Sequence, residues 1–271
     1  MLKTKKVKIT PWAVVVAVVI VLAVFGGLAA ILLWEKEAPP SPITEPTGTP
    51  PATLPQSAFS PEDFSEENGF LACAGAETAI GIDVSKYQGE IDWHQVKAAG
   101  VEFAMVRLGY RGYSTGELNT DPMAAINLTG ARDAGLLVGA YFYSQATTPE
   151  EAREEAAFAL EILGDFELDL PLSFDWEIEK RTENVDVETA TACSIAFCQA
   201  VEAAGYESMI YFNSYQAVQR LDLTALTEYP WWLAMYDPVG EFPCRFDLWQ
   251  YTQTGTVPGI EGNVDINIML R

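Results

Sequence analysis

From residue 78 onward, short apolar runs alternate with longer amphipathic stretches. Eight runs rich in β-branched and aromatic residues read as strands: "TAIGIDVS" (78–85), "FAMVRLGY" (103–110), "LLVGAYFYS" (136–144), "DLPLSFDWE" (169–177), "YESMIYFN" (206–213), "WWLAMYD" (231–237), "FDLWQYT" (246–252) and "VDINIML" (264–270). Helical signals separate the first six. "DWHQVKAAG" runs to Gly100, a helix stop. "DPMAAINLTGARDAG" sets Asp121 as N-cap with Pro122 behind it and ends at Gly135. "TPEEAREEAAFALEILG" offers Thr148 as N-cap, Glu151 at the capping-box position and Gly164 as the stop. "DVETATACSIAFCQAVEAAG" repeats the pattern from Asp186 to Gly205, and "SYQAVQRLDLTALTEYP" is weaker and broken. No helix fits between the last three strands. Strand–helix alternation implies a parallel sheet with helices outside. The expected fold is therefore α/β: a TIM-like barrel of five βα units plus three further strands. Chemistry in such a barrel gathers where strands end and βα loops begin.

The first 75 residues follow a different pattern. "MLKTKKVKIT" carries Lys3, Lys5, Lys6 and Lys8 and no acid, and Trp12 to Trp34 carries no charge at all. As a helix those residues would reach about 34 Å, enough for a bilayer core of roughly 30 Å. The run is longer than a signal-peptide core and ends in Ile31, Leu32, Leu33 and Trp34 rather than in small residues. The expectation is a basic cytoplasmic tail (1–11), a single-pass transmembrane signal-anchor (12–34) in the lipid bilayer of the cell membrane, and everything beyond outside the cytoplasm. A Pro-rich extracytoplasmic linker (35–75) follows, with eight of the chain's 16 prolines in "APPSPITEPTGTPPATLPQSAFSP", and then the barrel domain (76–271). All 38 acids lie from Glu35 onward with 12 of the 16 bases, a formal charge of −26 for that part. Such a field repels phosphate, so nucleic acid is excluded as a partner.

Against the barrel rule, the acids fall in informative places. Asp83 ends the first strand, Asp175 and Glu177 end the fourth, and Asp237 ends the sixth. Asp265 opens the last strand, and shares the rim if that strand runs antiparallel to its neighbour. Asp175 and Glu177 point to one side, about 6.6 Å apart along the strand. Two buried anions cost several kcal/mol each unless paired, and Arg107 is the best nearby base. At a cleft rim, one carboxyl can stay protonated beside an ionised neighbour, which glycoside cleavage requires. The alternative is an acid pair that caps the strand by accepting from loop amides. Other chemistries lack their parts. The one histidine, His94, sits on the first helix, so a Ser–His triad or a histidine-rich zinc site is disfavoured. No metal or cofactor motif occurs, and "GYRGYSTG" lacks the lysine of a phosphate loop. Aromatics near strand ends, among them Tyr141, Tyr143, Tyr211, Trp232, Tyr236 and Trp249, are candidates to stack on sugars, with ordinary packing as the alternative for each. Cys193 and Cys198 lie five apart in a helix, on nearly opposite sides, so they do not pair with each other. Pairings with Cys73 and Cys244 remain open, as do free thiols.

The segments "GIDVSKYQGEIDWHQVKAAGVEFAMVRLGYRG", "DAGLLVGAYFYSQA", "LDLPLSFDWEIE", "WWLAMY" and "LWQYTQTGTVPGIEGNVDIN" resemble the family 25 glycoside hydrolases, the Chalaropsis-type lysozymes. The resemblance implies a muramidase that cuts the β-1,4 bond between N-acetylmuramic acid and N-acetylglucosamine in peptidoglycan. It implies Glu177 as general acid and Asp175 as support for the substrate's 2-acetamido group as that group attacks the anomeric carbon. Asp83 and Asp265 would complete the acidic cleft, and Tyr141, Tyr211 and Trp249 are the expected sugar contacts. No metal or cofactor is implied. The anchor, the tether and the lack of repeated wall-binding modules depart from the family pattern. Two other readings stay open: a catalytically weak, glycan-binding wall protein, and a glycosidase for another N-acetylated polysaccharide.

Overall fold

The eight expected strands close into a ring because their side chains alternate strictly between two apolar environments. The structure, a computed structural model, describes residues 53–236 and 242–270. The candidate membrane span 12–34, its basic tail, most of the proline-rich stretch and Asp237 lie outside the described residues. Among the described residues, no helix is long and apolar enough to cross a membrane.

In chain order the strands are β1 (Phe64–Glu67), β2 (Phe70–Cys73), β3 (Thr78–Val84), β4 (Phe103–Arg111), β5 (Leu118–Thr120), β6 (Leu137–Ser144), β7 (Leu172–Trp176), β8 (Ser208–Asn213), β9 (Trp231–Ala234), β10 (Leu248–Gly255) and β11 (Val264–Leu270). The helices are α1 (Trp93–Ala98), α2 (Ala124–Asp133), α3 (Pro149–Leu163), α4 (Val187–Ala203) and α5 (Ser214–Gln219). The main sheet runs β3-β11-β10-β9-β8-β7-β6-β4-β5, and a β3–β4 pairing closes eight of these strands into a barrel. All neighbours are parallel except β11, antiparallel to both β10 and β3, and the short edge strand β5. The antiparallel β11 brings its first residues to the rim where the other strands end.

Alternate residues fill the inside. Ala79, Phe103, Met105, Met209, Trp232 and Leu248 pack the barrel interior. Residues of opposite parity, such as Ile82, Phe174, Phe212, Trp231 and Trp249, face the helices in the larger core. Gly81 is required here, since a Cβ would lie 2.1 Å from the Phe103 ring that plugs the barrel. Helix ends follow local chemistry. Asp92, Thr148 and Asp186 each accept a backbone N–H of the first turn of α1, α3 and α4.

Three local expectations are corrected. Asp121 does not cap α2, which begins at Ala124; its carboxylate instead takes Arg107 Nε at 2.8 Å, Lys86 N at 3.0 Å and Met123 N at 2.9 Å. One carboxylate oxygen serves the buried guanidinium while the other still accepts a backbone N–H just before the helix. Glu151 makes no capping box with Thr148; it accepts from Thr147 and from Arg181. The packed body also begins before residue 76. Leu54 is buried, Arg245 N donates to Pro55 O, and Phe64 lies edge-on to Trp249 at 5.1 Å. The hairpin β1–β2 turns at Asn68-Gly69, both with positive φ.

All four cysteines are buried free thiols. Cys198, inside α4, has its thiol pushed up to about 12 by burial.

Candidate active site

The inward parity that packs apolar groups low in the barrel delivers polar ones to its mouth. Asp83 stands near the end of β3 and Asp175 near the end of β7, with Glu177 just beyond it; all three are buried. Asp265, half-buried, lies directly across the β3–β11 ladder from Asp83. Four acids from three strands therefore meet, each within electrostatic reach of others. Arg107 points to the same mouth and favours the ionised form of Asp175, yet its direct carboxylate partner is Asp121.

Burial dominates the ionisation of all four. It holds the Glu177 carboxyl up at about 7, aided by the charge of Glu179, while hydrogen bonds from the phenols of Tyr143 and Tyr211 pull it back. Asp175 is held well above the usual carboxylate range, first by burial and then by the charges of Glu177 and Asp83. Its Oδ1 is buried and receives no hydrogen bond from any described residue. Asp265 is pushed up to about 9 by burial and by Asp83. Asp83 is raised by burial, with its hydrogen bonds to Asn267, Gln250 and Asp265 opposing.

Two amides that sequence reasoning missed organise this mouth. Gln250 Nε2 and Asn267 Nδ2 each donate to Asp83 Oδ2 at 2.8 Å. Gln250 Oε1 accepts the Tyr236 hydroxyl at 2.7 Å, and Asn267 Oδ1 accepts the Trp232 indole N–H at 2.8 Å. A signal was available: Asn267 lies two residues after Asp265, and so on the same face.

Of the three aromatic candidates, Tyr141 and Tyr211 stand at the mouth, edge-on to Trp232 at 5.8 and 5.1 Å. Trp249 does not. It is fully buried on the outward face of β10, among Phe64, Phe246 and Tyr251, with its indole N–H given to Met235 O. Leu248 and Gln250 take the inward positions, so parity turns Trp249 away and leaves it no face for a sugar. His94 is exposed on α1, and among the described residues no group of His, Cys, Asp and Glu could hold a metal ion.

A closed barrel with several carboxyls at one mouth, their proton affinities raised by burial, suits glycosidases that work by carboxyl acid catalysis. Comparison with known proteins agrees. The family model described as Glycosyl hydrolases family 25 matches residues 82–260. The chain belongs to that family and is a glycoside hydrolase. Lysozyme M1 of Streptomyces globisporus is 26% identical over 280 residues, covering 91% of this chain and 89% of that protein. The uncharacterized protein YegX of Escherichia coli K12 is 30% identical over 197 residues, covering 70% of this chain and 69% of YegX. Among solved structures, the modular autolysin LytC from Streptococcus pneumoniae, in complex with a synthetic peptidoglycan ligand, superposes with a TM-score of 0.61 at 24% identity over 71% of this chain. The match spans 46% of the LytC chain.

Proposed function

We propose that the chain is a peptidoglycan muramidase that cleaves the β-1,4 bond between N-acetylmuramic acid and N-acetylglucosamine. Glu177 is the general acid. Its carboxyl, held at about 7 by burial, is the observation that carries the reading, because a general acid must keep its proton at the working pH and then release it. As the glycosidic bond breaks, Glu177 gives its proton to the leaving oxygen, and the oxygen of the 2-acetamido group attacks the anomeric carbon. Asp175 supports that attack. Its buried Oδ1, to which no described residue donates, suits an acetamido N–H, and that bond would favour its ionised form. Tyr141 and Tyr211 border the bound sugar, and Asp83 and Asp265 complete the cleft. The lysozyme relatives support peptidoglycan as the substrate.

The uncharged run 12–34 behind four lysines supports a single-pass anchor with the barrel outside the cytoplasm, where peptidoglycan lies. Loss of the barrel to protease added outside intact cells tests that topology; full protection overturns it.

The function is tested with the full-length chain on purified peptidoglycan. Glu177→Gln, which keeps shape and removes the proton, lowers kcat at least about a hundredfold. Equal turnover in both proteins removes Glu177 as the acid. Mass analysis of the fragments shows muramic acid at the new reducing ends, and glucosamine there overturns the bond assignment.

A further inference from the structure

Two carboxyls at the mouth form a unit of their own. Asp83 and Asp265 are direct partners across the antiparallel β3–β11 ladder, where Cβ atoms stand about 4.5–5.5 Å apart. Their side chains leave the same face of the ladder, and each acts on the ionisation of the other. Two ionised carboxylates set side by side are acceptors only and repel, so the pair is best served by one proton between them. Which residue carries it is decided by the neighbouring amides. Asp83 Oδ2 accepts two N–H groups, from Gln250 and Asn267. Asn267 is not free to turn its oxygen toward Asp83. The indole N–H of Trp232 can only donate, which commits Asn267 Oδ1 and leaves Nδ2 for Asp83. The Tyr236 hydroxyl, which can donate or accept, gives its proton to Gln250 Oε1 while Nε2 serves Asp83. An oxygen that receives two N–H donors is best served by the anion.

We propose that Asp83 and Asp265 form a carboxylate–carboxyl pair with the single proton on Asp265, and that Asn267, locked by Trp232, and Gln250, bonded to Tyr236, are the positioning residues that keep it there. The proposal deepens the muramidase reading and rests on it for the catalytic consequence. One acid of the pair stays charged, to stabilise the cationic sugar of the transition state. The other stays neutral, so the cleft is spared a further negative charge.

Among the described residues, the charged or titrating groups that face the pair are Asp175 and Glu177 from the end of β7, with Arg107 on β4 facing Asp175. The phenols of Tyr141, Tyr211 and Tyr236 also face it and are raised by burial, so they remain neutral at ordinary pH.

The test uses full-length chain with its aspartate side-chain carboxyls labelled with carbon-13. At neutral pH the expected spectrum contains a protonated aspartate resonance that Asp265→Asn removes and Asp175→Asn leaves in place. If Asp265→Asn removes none, the pair is overturned. Tyr236→Phe deletes one oxygen and touches neither acid. With its anchor lost, Gln250 donates less well, and the Asp83 titration moves up by about half a pH unit. The acidic limb of kcat/KM moves with it, through kcat rather than KM. A Tyr236→Phe titration that superimposes on the parent's removes the positioning role. The resonances report on the pair whether or not peptidoglycan is turned over, so failure of the muramidase reading is seen separately.

Discussion

At the scale of single residues, Glu177 is governed by opposing influences of unequal size. Burial raises its proton affinity, and the phenol hydrogen bonds of Tyr143 and Tyr211 lower it by favouring the charged form. Tyr211 also stands 3.5 Å from Gln250 Oε1, a much longer contact than the 2.7 Å bond that Tyr236 makes there. Removing one donor shifts the balance toward the neutral acid. In Tyr143→Phe the basic limb of the kcat/KM profile therefore moves to higher pH, by about half a unit. A shift to lower pH in the measured profile would contradict the role assigned to that phenol. The four acids were legible because acids at strand ends have no place in an apolar run. Gln250 and Asn267 went unread, since their partner Asp83 lies 167 and 184 residues away; the period-two spacing of Asn267 from Asp265 was the one local mark. Trp249 was misread for a related reason. Its chemistry suits a sugar, but its parity in β10 sends it into the outer core.

At the scale of elements, the segment after β7 decides how firmly the acid is held. The Glu177 carbonyl accepts from Gln145 Nε2 at 3.1 Å and from Thr182 Oγ1 at 2.7 Å. Farther along, Arg181 donates to Gln145 O and spans both oxygens of Glu151 at the start of α3. That pairing pulls the Glu151 carboxyl down to about 2. A group depressed in the folded state contributes stability that is present above its unfolded value, near 4.3, and lost as pH falls through the folded one. Arg181→Ala is thus expected to lower the unfolding temperature at pH 7, with the gap to the parent closing between about pH 4 and pH 2. A gap that stays constant across that range, measured by calorimetry, would mean the strut acts through packing alone. The elements were mostly readable in the chain, because period-two runs and capped amphipathic stretches are local properties. The hairpin β1–β2 went unread although its Asn68-Gly69 turn is a strong local signal, because its strands are short and sit beside a proline-rich stretch.

At the scale of the molecule, several buried carboxyls hold protons more tightly in the fold than in the open chain. Glu155, wholly buried beside Ser144 and Arg111, is raised to about 7, as is Glu177, and Asp265 is raised to about 9. Between roughly pH 4.5 and 7 the folded chain therefore binds more protons than the unfolded one, and stability falls as pH rises. The formal charge of −22 acts in the same direction through self-repulsion. The unfolding temperature is expected to be higher at pH 5.5 than at pH 8, and a rise toward pH 8 in a buffered thermal scan would show that these acids are ionised in the fold. The sequence by itself determined the barrel, its strand order and the acids at the strand ends, since periodicity and chain order are properties of neighbouring residues. Only the tertiary structure decided which amides reach Asp83, how deeply each acid is buried, and that Trp249 belongs to the core. Those outcomes depend on desolvation and on hydrogen bonds between strands far apart in the chain, and neither exists until the barrel closes.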